Sequence, residues 1–136
     1  MCGIAGILKI DGCTTPEETA AVERMMSGLL HRGPDGSGLY RDSRVILGHR
    51  RLSIVDLSEN GRQPMSNEDG TVWITYNGDV YNFQELRDRL VNCGHCFRSK
   101  TDTEVLVHGY EEWGIDTDKV YALPRQSDQG AELEER

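Results

Sequence analysis

Apolar residues along the chain fall into patches of two periods. The first patch, at 3–10, is short, interrupted only by Lys9 and closed by Asp11 and Gly12, which predicts a buried strand. A helical period follows. Thr15 is a suitable N-cap, Pro16 suits the first helical position and Glu18 completes a capping box. Val22, Met25, Met26, Leu29 and Leu30 then recur at i, i+3, i+4, i+7 and i+8, one apolar stripe with the paired methionines as core filler. Three glycines and a proline within 31–38 end the helix in a tight loop. Short strands are predicted at 39–41 and 45–50, and 52–55 is apolar and β-prone. A polar loop spans 58–70, and a strand at 72–76 ends in Asn77-Gly78, a strong hairpin signal. A second helix is expected from an Asn82/Glu85 box to Gly94, carrying Leu86, Leu90 and Val91. A strand at 95–99 precedes a third helix, with a Thr101/Glu104 box, the apolar residues Val105, Leu106, Tyr110 and Trp113, and a stop at Gly114. Beyond it the periodicity is lost, and 117–136 reads as a polar tail. The element order is α+β with largely antiparallel sheet, not a doubly wound domain.

Length and charge narrow the function classes. A chain of 136 residues suits one domain with a modest core. Fifteen basic against 23 acidic residues give a net charge of −8, which disfavours a phosphate backbone as partner. No nucleic acid and no membrane partner is expected, since neither a basic cluster nor a signal or spanning segment is evident. The four cysteines, Cys2, Cys13, Cys93 and Cys96, then read as reduced thiols in a cytoplasmic protein. Cys93-Gly94-His95-Cys96 invites a zinc reading, but no second ligand cluster answers it in the sequence, and structural thiols are favoured.

The candidate chemistry begins at Cys2. Removal of Met1 would place a thiol and a free α-amine on one residue, with ordinary pKa values of about 8.5 and about 8. Such an amine is partly neutral near pH 7–8 and can take the thiol proton, so nucleophile and base share a residue. Position alone is weak support, because free cysteine is usually a small buried hydrophobe. Arg51 offers a fork for a carboxylate, or is a surface base. Asn77 and Gly78 offer two N–H donors for an oxyanion, or form a plain turn. Asp102 suits an ammonium group, or simply starts a helix. His31 is a hydrogen-bond donor in its turn rather than a base, and His49, His95 and His108 have no partner pattern and read as structural or solvent-facing.

Taken together these segments resemble a family. The opening MCGIAG resembles the class II glutamine amidotransferases, the Ntn-hydrolase glutaminases. HRGPDGSG at 31–38, RLSIVD at 51–56 followed by Gln63-Pro64, YNGDVYN at 76–82 and SKTDTEV at 99–105 are similar, in order and spacing, to the asparagine synthetase branch. The hexosamine and purine branches would show a Thr-Arg segment in place of 51–56. The resemblance covers residues 1 to about 114. It implies an Ntn-hydrolase αββα sandwich of two mostly antiparallel sheets. Residues 1–116 would be a partial glutaminase domain and 117–136 a non-matching tail, leaving the fold incomplete at its C-terminus, as in a truncated chain. It implies hydrolysis of L-glutamine to glutamate and ammonia through a thioester on Cys2, with Asn77 and Gly78 holding the oxyanion. Arg51 would bind the α-carboxylate, Asp102 the α-ammonium, and Leu52, Ser53, Ile54, Val55 and Asp79 would complete the substrate contacts. The loop at 31–38 would support the pocket. This half-reaction needs no metal or organic cofactor. ATP and Mg²⁺ belong to a synthetase domain or subunit that accepts the ammonia, and the Ser-Gly-Gly-x-Asp-Ser loop of that domain is not in these residues. A non-catalytic glutamine-binding or regulatory fragment of the same fold is the alternative.

Overall fold

A computed structural model describes residues 1–53 and 57–114. The polar tail expected at 117–136 and the backbone of Ile54 and Val55 lie outside these residues. The chain forms a mixed α/β structure in which every described strand pairing is antiparallel.

The first strand, β1 (Gly3–Leu8), pairs with β3 (Val45–Arg51), which pairs in turn with β2 (Gly36–Arg41). The β2–β3 turn is pinned by Asp42, whose Oδ1 accepts the backbone N–H of Arg44 at 2.6 Å and of Val45 at 2.7 Å. Helix α1 (Pro16–Gly28) lies on one face of this sheet. Its capping box forms as the sequence predicts: Thr15 Oγ1 accepts Glu18 N–H at 3.3 Å and Glu18 Oε2 accepts Thr15 N–H at 2.9 Å. Val22 and Met26 pack with Ile46, Ala5 and Ile7. The rest of the predicted stripe is shallower, for Met25 and Leu30 are about half exposed. Strand β1 is likewise buried on one face only. Ile4 and Leu8 point away from α1 and stay open, so its apolar run is not that of a fully buried strand.

Three corrections concern strands. The polar stretch 58–70 contains a 3₁₀ turn (Glu59–Gly61) and the strand β4 (Met65–Ser66), which pairs with β5 (Trp73–Ile74). Buried Asn67 closes this hairpin, its Oδ1 accepting the N–H groups of Thr71 and Val72. Side-chain bonding of this kind builds a turn without apolar periodicity. The strand predicted at 72–76 is only two residues long, and 95–99 is not a strand. The backbone N–H groups of Arg98 and Ser99 donate to the Glu104 carboxylate, both at 2.7 Å, instead of to a ladder.

Helices α2 (Phe83–Asn92) and α3 (Thr103–Trp113) pack together through Leu86, Leu90 and Val105, joined by Val80, Phe83, Phe97 and Trp113. Gly94 and Gly114 follow the two helices at φ 102° and 61°, the positive-φ role expected of them. Neither predicted capping box forms there. Asn82 and Asp102 are the N-caps and make no side-chain capping bond. The two sheets meet through Tyr40 stacked on Trp73, with ring centroids 3.9 Å apart, and through His49 Nδ1, 2.9 Å from the Thr75 hydroxyl. Among the described residues no helix is long and apolar enough to cross a membrane.

Candidate active site

The end of β3, the start of β1, the segment after β5 and the entry to α3 converge on a cavity of about 200 Å³. Cys2, Arg51, Leu52, Asn77, Gly78, Asp79 and Asp102 all line it, together with Met1. Ser53 is half-buried beside Leu52 but is not part of the lining. The expected contacts of Ile54 and Val55 fall outside the described residues.

Antiparallel pairing of β1 with β3 sets Gly3 opposite Arg50, which brings Cys2 beside the chain leaving β3. The Leu52 backbone N–H donates to Cys2 Sγ at 3.3 Å. The thiol in turn points at the Leu52 carbonyl, 3.8 Å away, so both backbone groups of Leu52 hold the sulfur at the cavity. Arg32 Nε donates to the Cys2 carbonyl at 3.1 Å and fixes the residue's backbone.

The glycine-rich loop buttresses the same corner. Asp35 N–H donates to the Arg51 carbonyl at 3.0 Å, and Asp35 Oδ2 accepts Ser53 N–H at 2.8 Å. Gly33 lies so close to β3 that a Cβ there would sit 2.3 Å from the Arg50 carbonyl. His31 is exposed and does not line the cavity.

Arg51 is held in place from the far side. Its Nη1 donates to the Ser58 carbonyl at 2.8 Å, and its guanidinium lies against Gly61, where a Cβ would come within 2.3 Å of Nη2. Asp102 faces the cavity as well. One of its oxygens, Oδ2, accepts Val80 N–H at 2.8 Å, which ties the 76–80 segment to the start of α3. The cavity therefore presents a guanidinium and two carboxylates, Asp79 and Asp102. This charge pattern complements a zwitterion.

Asn77 and Gly78 stand exposed at the rim, and Asn77-Gly78 does not turn a hairpin, since α2 rather than a strand comes next. Burial and the nearby carboxylates of Asp102 and Asp79 raise the Tyr76 hydroxyl above its ordinary range, so it remains a neutral donor beneath Gly78.

Gln63 is a residue of the cavity that the sequence does not mark as functional. Its buried carboxamide accepts Tyr76 N–H at 2.6 Å through Oε1 and donates to Thr103 Oγ1 at 3.2 Å through Nε2. It spans the cavity floor from the 76–80 segment to α3. The only signal for it was its place in the Gln63-Pro64 pair, which has no chemistry of its own in isolation.

A family model described as a glutamine amidotransferase domain matches residues 1–122. Asparagine synthetase 1 (glutamine-hydrolysing) of Arabidopsis thaliana is 45% identical over 118 residues, covering 85% of this chain and 19% of the relative. The corresponding synthetase 1 of Bacillus subtilis (strain 168) is 43% identical over 114 residues, covering 83% of this chain and 18% of the relative. That of Lotus japonicus is 44% identical over 116 residues, covering 84% and 19%. The chain thus spans about a fifth of the length of the curated relatives it matches.

Proposed function

The chain belongs to the glutamine amidotransferase domain family, and from that premise we propose that it is the glutaminase unit of an asparagine synthetase-type enzyme, hydrolysing L-glutamine to glutamate and ammonia. One observation carries the proposal: a thiol, a guanidinium, two carboxylates and the Asn77-Gly78 pair line a single cavity. Its volume is below the about 300–1,000 Å³ of pockets for drug-sized ligands and suits an amino acid.

In this reading Arg51 binds the α-carboxylate of glutamine, and Asp102 and Asp79 attract its α-ammonium. Leu52 and Ser53 supply backbone contacts, continued by Ile54 and Val55. With Met1 removed, the α-amine of Cys2 takes the thiol proton, and sulfur attacks the side-chain amide carbon. Asn77 Nδ2 and the Gly78 N–H receive the oxyanion. The ammonium of Cys2 returns a proton to the departing nitrogen, which leaves as ammonia. Water then cleaves the thioester to glutamate and restores the thiol. The chemistry asks for no metal or cofactor. ATP and Mg²⁺ would act in a synthetase domain or subunit that receives the ammonia. The layering of α1, two antiparallel sheets and the α2–α3 pair supports the αββα sandwich that the family resemblance implies.

A second reading turns on Met1: while it is attached, Cys2 has an amide nitrogen in place of an amine. A chain retaining Met1 would bind glutamine without turning it over, as a non-catalytic fragment would.

Intact mass before and after incubation with 6-diazo-5-oxo-L-norleucine, an electrophilic glutamine analogue, separates these readings. The glutaminase reading expects loss of Met1, one adduct on Cys2, and no adduct or ammonia release in Cys2→Ala. An adduct elsewhere, or turnover by Cys2→Ala, overturns the assignment of the nucleophile. Thermal stabilisation by glutamine with no adduct favours the binding fragment.

A further inference from the structure

We propose that Glu68, His95, His108 and Glu111 form a structural site for one divalent transition-metal cation, a zinc-type ion, that fastens α3 to the β4–β5 hairpin. One ligand atom from each of the four lies within 4.8 Å of the others. They come from three separate segments. Glu68 stands in the β4–β5 turn and His95 in the connection after α2. His108 and Glu111 sit at i and i+3 on one face of α3.

His108 carries the argument. It is 1% exposed, and neither ring nitrogen has a hydrogen-bond partner. A buried imidazole left in that state is costly. Its Nδ1 instead faces two carboxylates, Glu68 Oε2 at 3.4 Å and Glu111 Oε2 at 3.8 Å, and His95 Nδ1 faces the same Glu111 oxygen at 3.7 Å. These gaps are long for hydrogen bonds, which favour 2.7–3.2 Å for N–H to O. They are close to the about 3.4 Å that separates ligands around a tetrahedral ion with bonds of about 2.0–2.1 Å. Direct ion pairing would have drawn the groups together, whereas an ion between them accounts for the spacing.

The outer contacts have the same character. A metal-bound imidazole usually gives its other nitrogen to a carboxylate, which fixes the ring. His95 Nε2 lies 3.1 Å from Glu112 Oε2, a contact of this kind. His108 Nε2 lies 3.6 Å from Glu104 Oε1, beyond hydrogen-bond range. Both rings present Nδ1 to the cluster. Two imidazoles and two carboxylates suit a zinc-type ion better than magnesium or calcium, which prefer oxygen alone. Four protein ligands close the coordination shell, so the role is structural. The neighbouring Cys93 and Cys96 are exposed and are not in the cluster, which moves the sequence's zinc signal from the thiols to His95.

The test is titration of the metal-stripped 136-residue chain with Zn²⁺ by calorimetry, with thermal melts and Co²⁺ substitution read by absorbance. The site predicts one equivalent bound, a higher Tm, and visible Co²⁺ bands of a four-coordinate centre without the near-ultraviolet charge transfer of a thiolate. The exposed ligands allow variants that spare the core. Glu68→Gln and Glu111→Gln should each weaken Zn²⁺ by more than the about 10–100-fold typical of losing an outer partner, and Cys93→Ser/Cys96→Ser should bind as the parent does. No stoichiometric binding, a thiolate band, full affinity in both glutamine variants, or loss of binding in the serine pair would each overturn the proposal.

Discussion

His49 occupies β3 with no exposed surface, its Nδ1 bonded to the Thr75 hydroxyl and its Nε2 buried without a partner. Burial first, and the nearby Arg51 charge second, lower its pKa from 6.5 to about 4. The folded chain therefore holds a neutral imidazole at a pH where the unfolded chain has already bound a proton. Stability from this residue is complete above about pH 6.5 and drains away as pH falls toward about 4, because only the unfolded state gains the proton in that window. At about 1.4 kcal/mol per unit the full loss is of order 3 kcal/mol. Denaturant melts at about pH 7.5 and about pH 5, above most of the carboxylate range, should show the parent losing stability. His49→Gln should start lower and stay flat. An equal slope in both would assign the acid sensitivity to other groups. The residue's meaning lay beyond the sequence, which offered only a histidine on a strand. Its register opposite Ile4, and the approach of β5 over that face, are long-range facts.

At the scale of elements, α1 packs closely on β3. A Cβ on Gly48 would stand 2.5 Å from Met26 Sδ and 2.9 Å from Val22 Cγ1. Met26 can bend away, but Val22 is β-branched and fully buried. Gly48→Ala should therefore overpack the joint and cost about 1–3 kcal/mol, read as a lower denaturation midpoint with unchanged m. Adding Met26→Ala to make room should recover part of the loss, and failure to recover any would place the cost elsewhere than in this contact. Helix α1 was legible because its cap, proline and stripe all act within a few residues. So were the glycine stops of α2 and α3. The β4–β5 hairpin was not, because it rests on one buried asparagine and two-residue strands. The box predicted for α3 fails for a related reason. Glu104, the expected box partner of Thr101, turns back to the Arg98 and Ser99 N–H groups. Burial pushes its carboxyl up, but His108, these bonds and the Ser99 hydroxyl together outweigh burial and hold it at about 2. The candidate site was legible as a set of motifs, but its geometry depends on pairing between segments up to fifty residues apart, such as Cys2 and Leu52.

For the whole molecule, the question is what one cavity can support. The described residues provide a thiol and complementary charges for a small zwitterion. The sequence contains no Gly-rich phosphate loop of the common types and no Ser-Gly-Gly-x-Asp-Ser segment. Its net charge of −8 does not favour a triphosphate either. Glutamine turnover by this polypeptide should consequently yield glutamate and ammonia in equal amounts, at a rate indifferent to ATP, Mg²⁺ and aspartate. No asparagine should form when all three are present. Product analysis by NMR, with and without those additions, is the check. A rate that rises with ATP and aspartate, or any ATP-dependent asparagine, would mean that nucleotide binds within these 136 residues. Glutamine hydrolysis would then be only part of what the chain does. A constant rate with free ammonia would instead make amide cleavage a self-contained reaction of this unit. The second substrate's chemistry would then be supplied by a synthetase domain or subunit that receives the nitrogen.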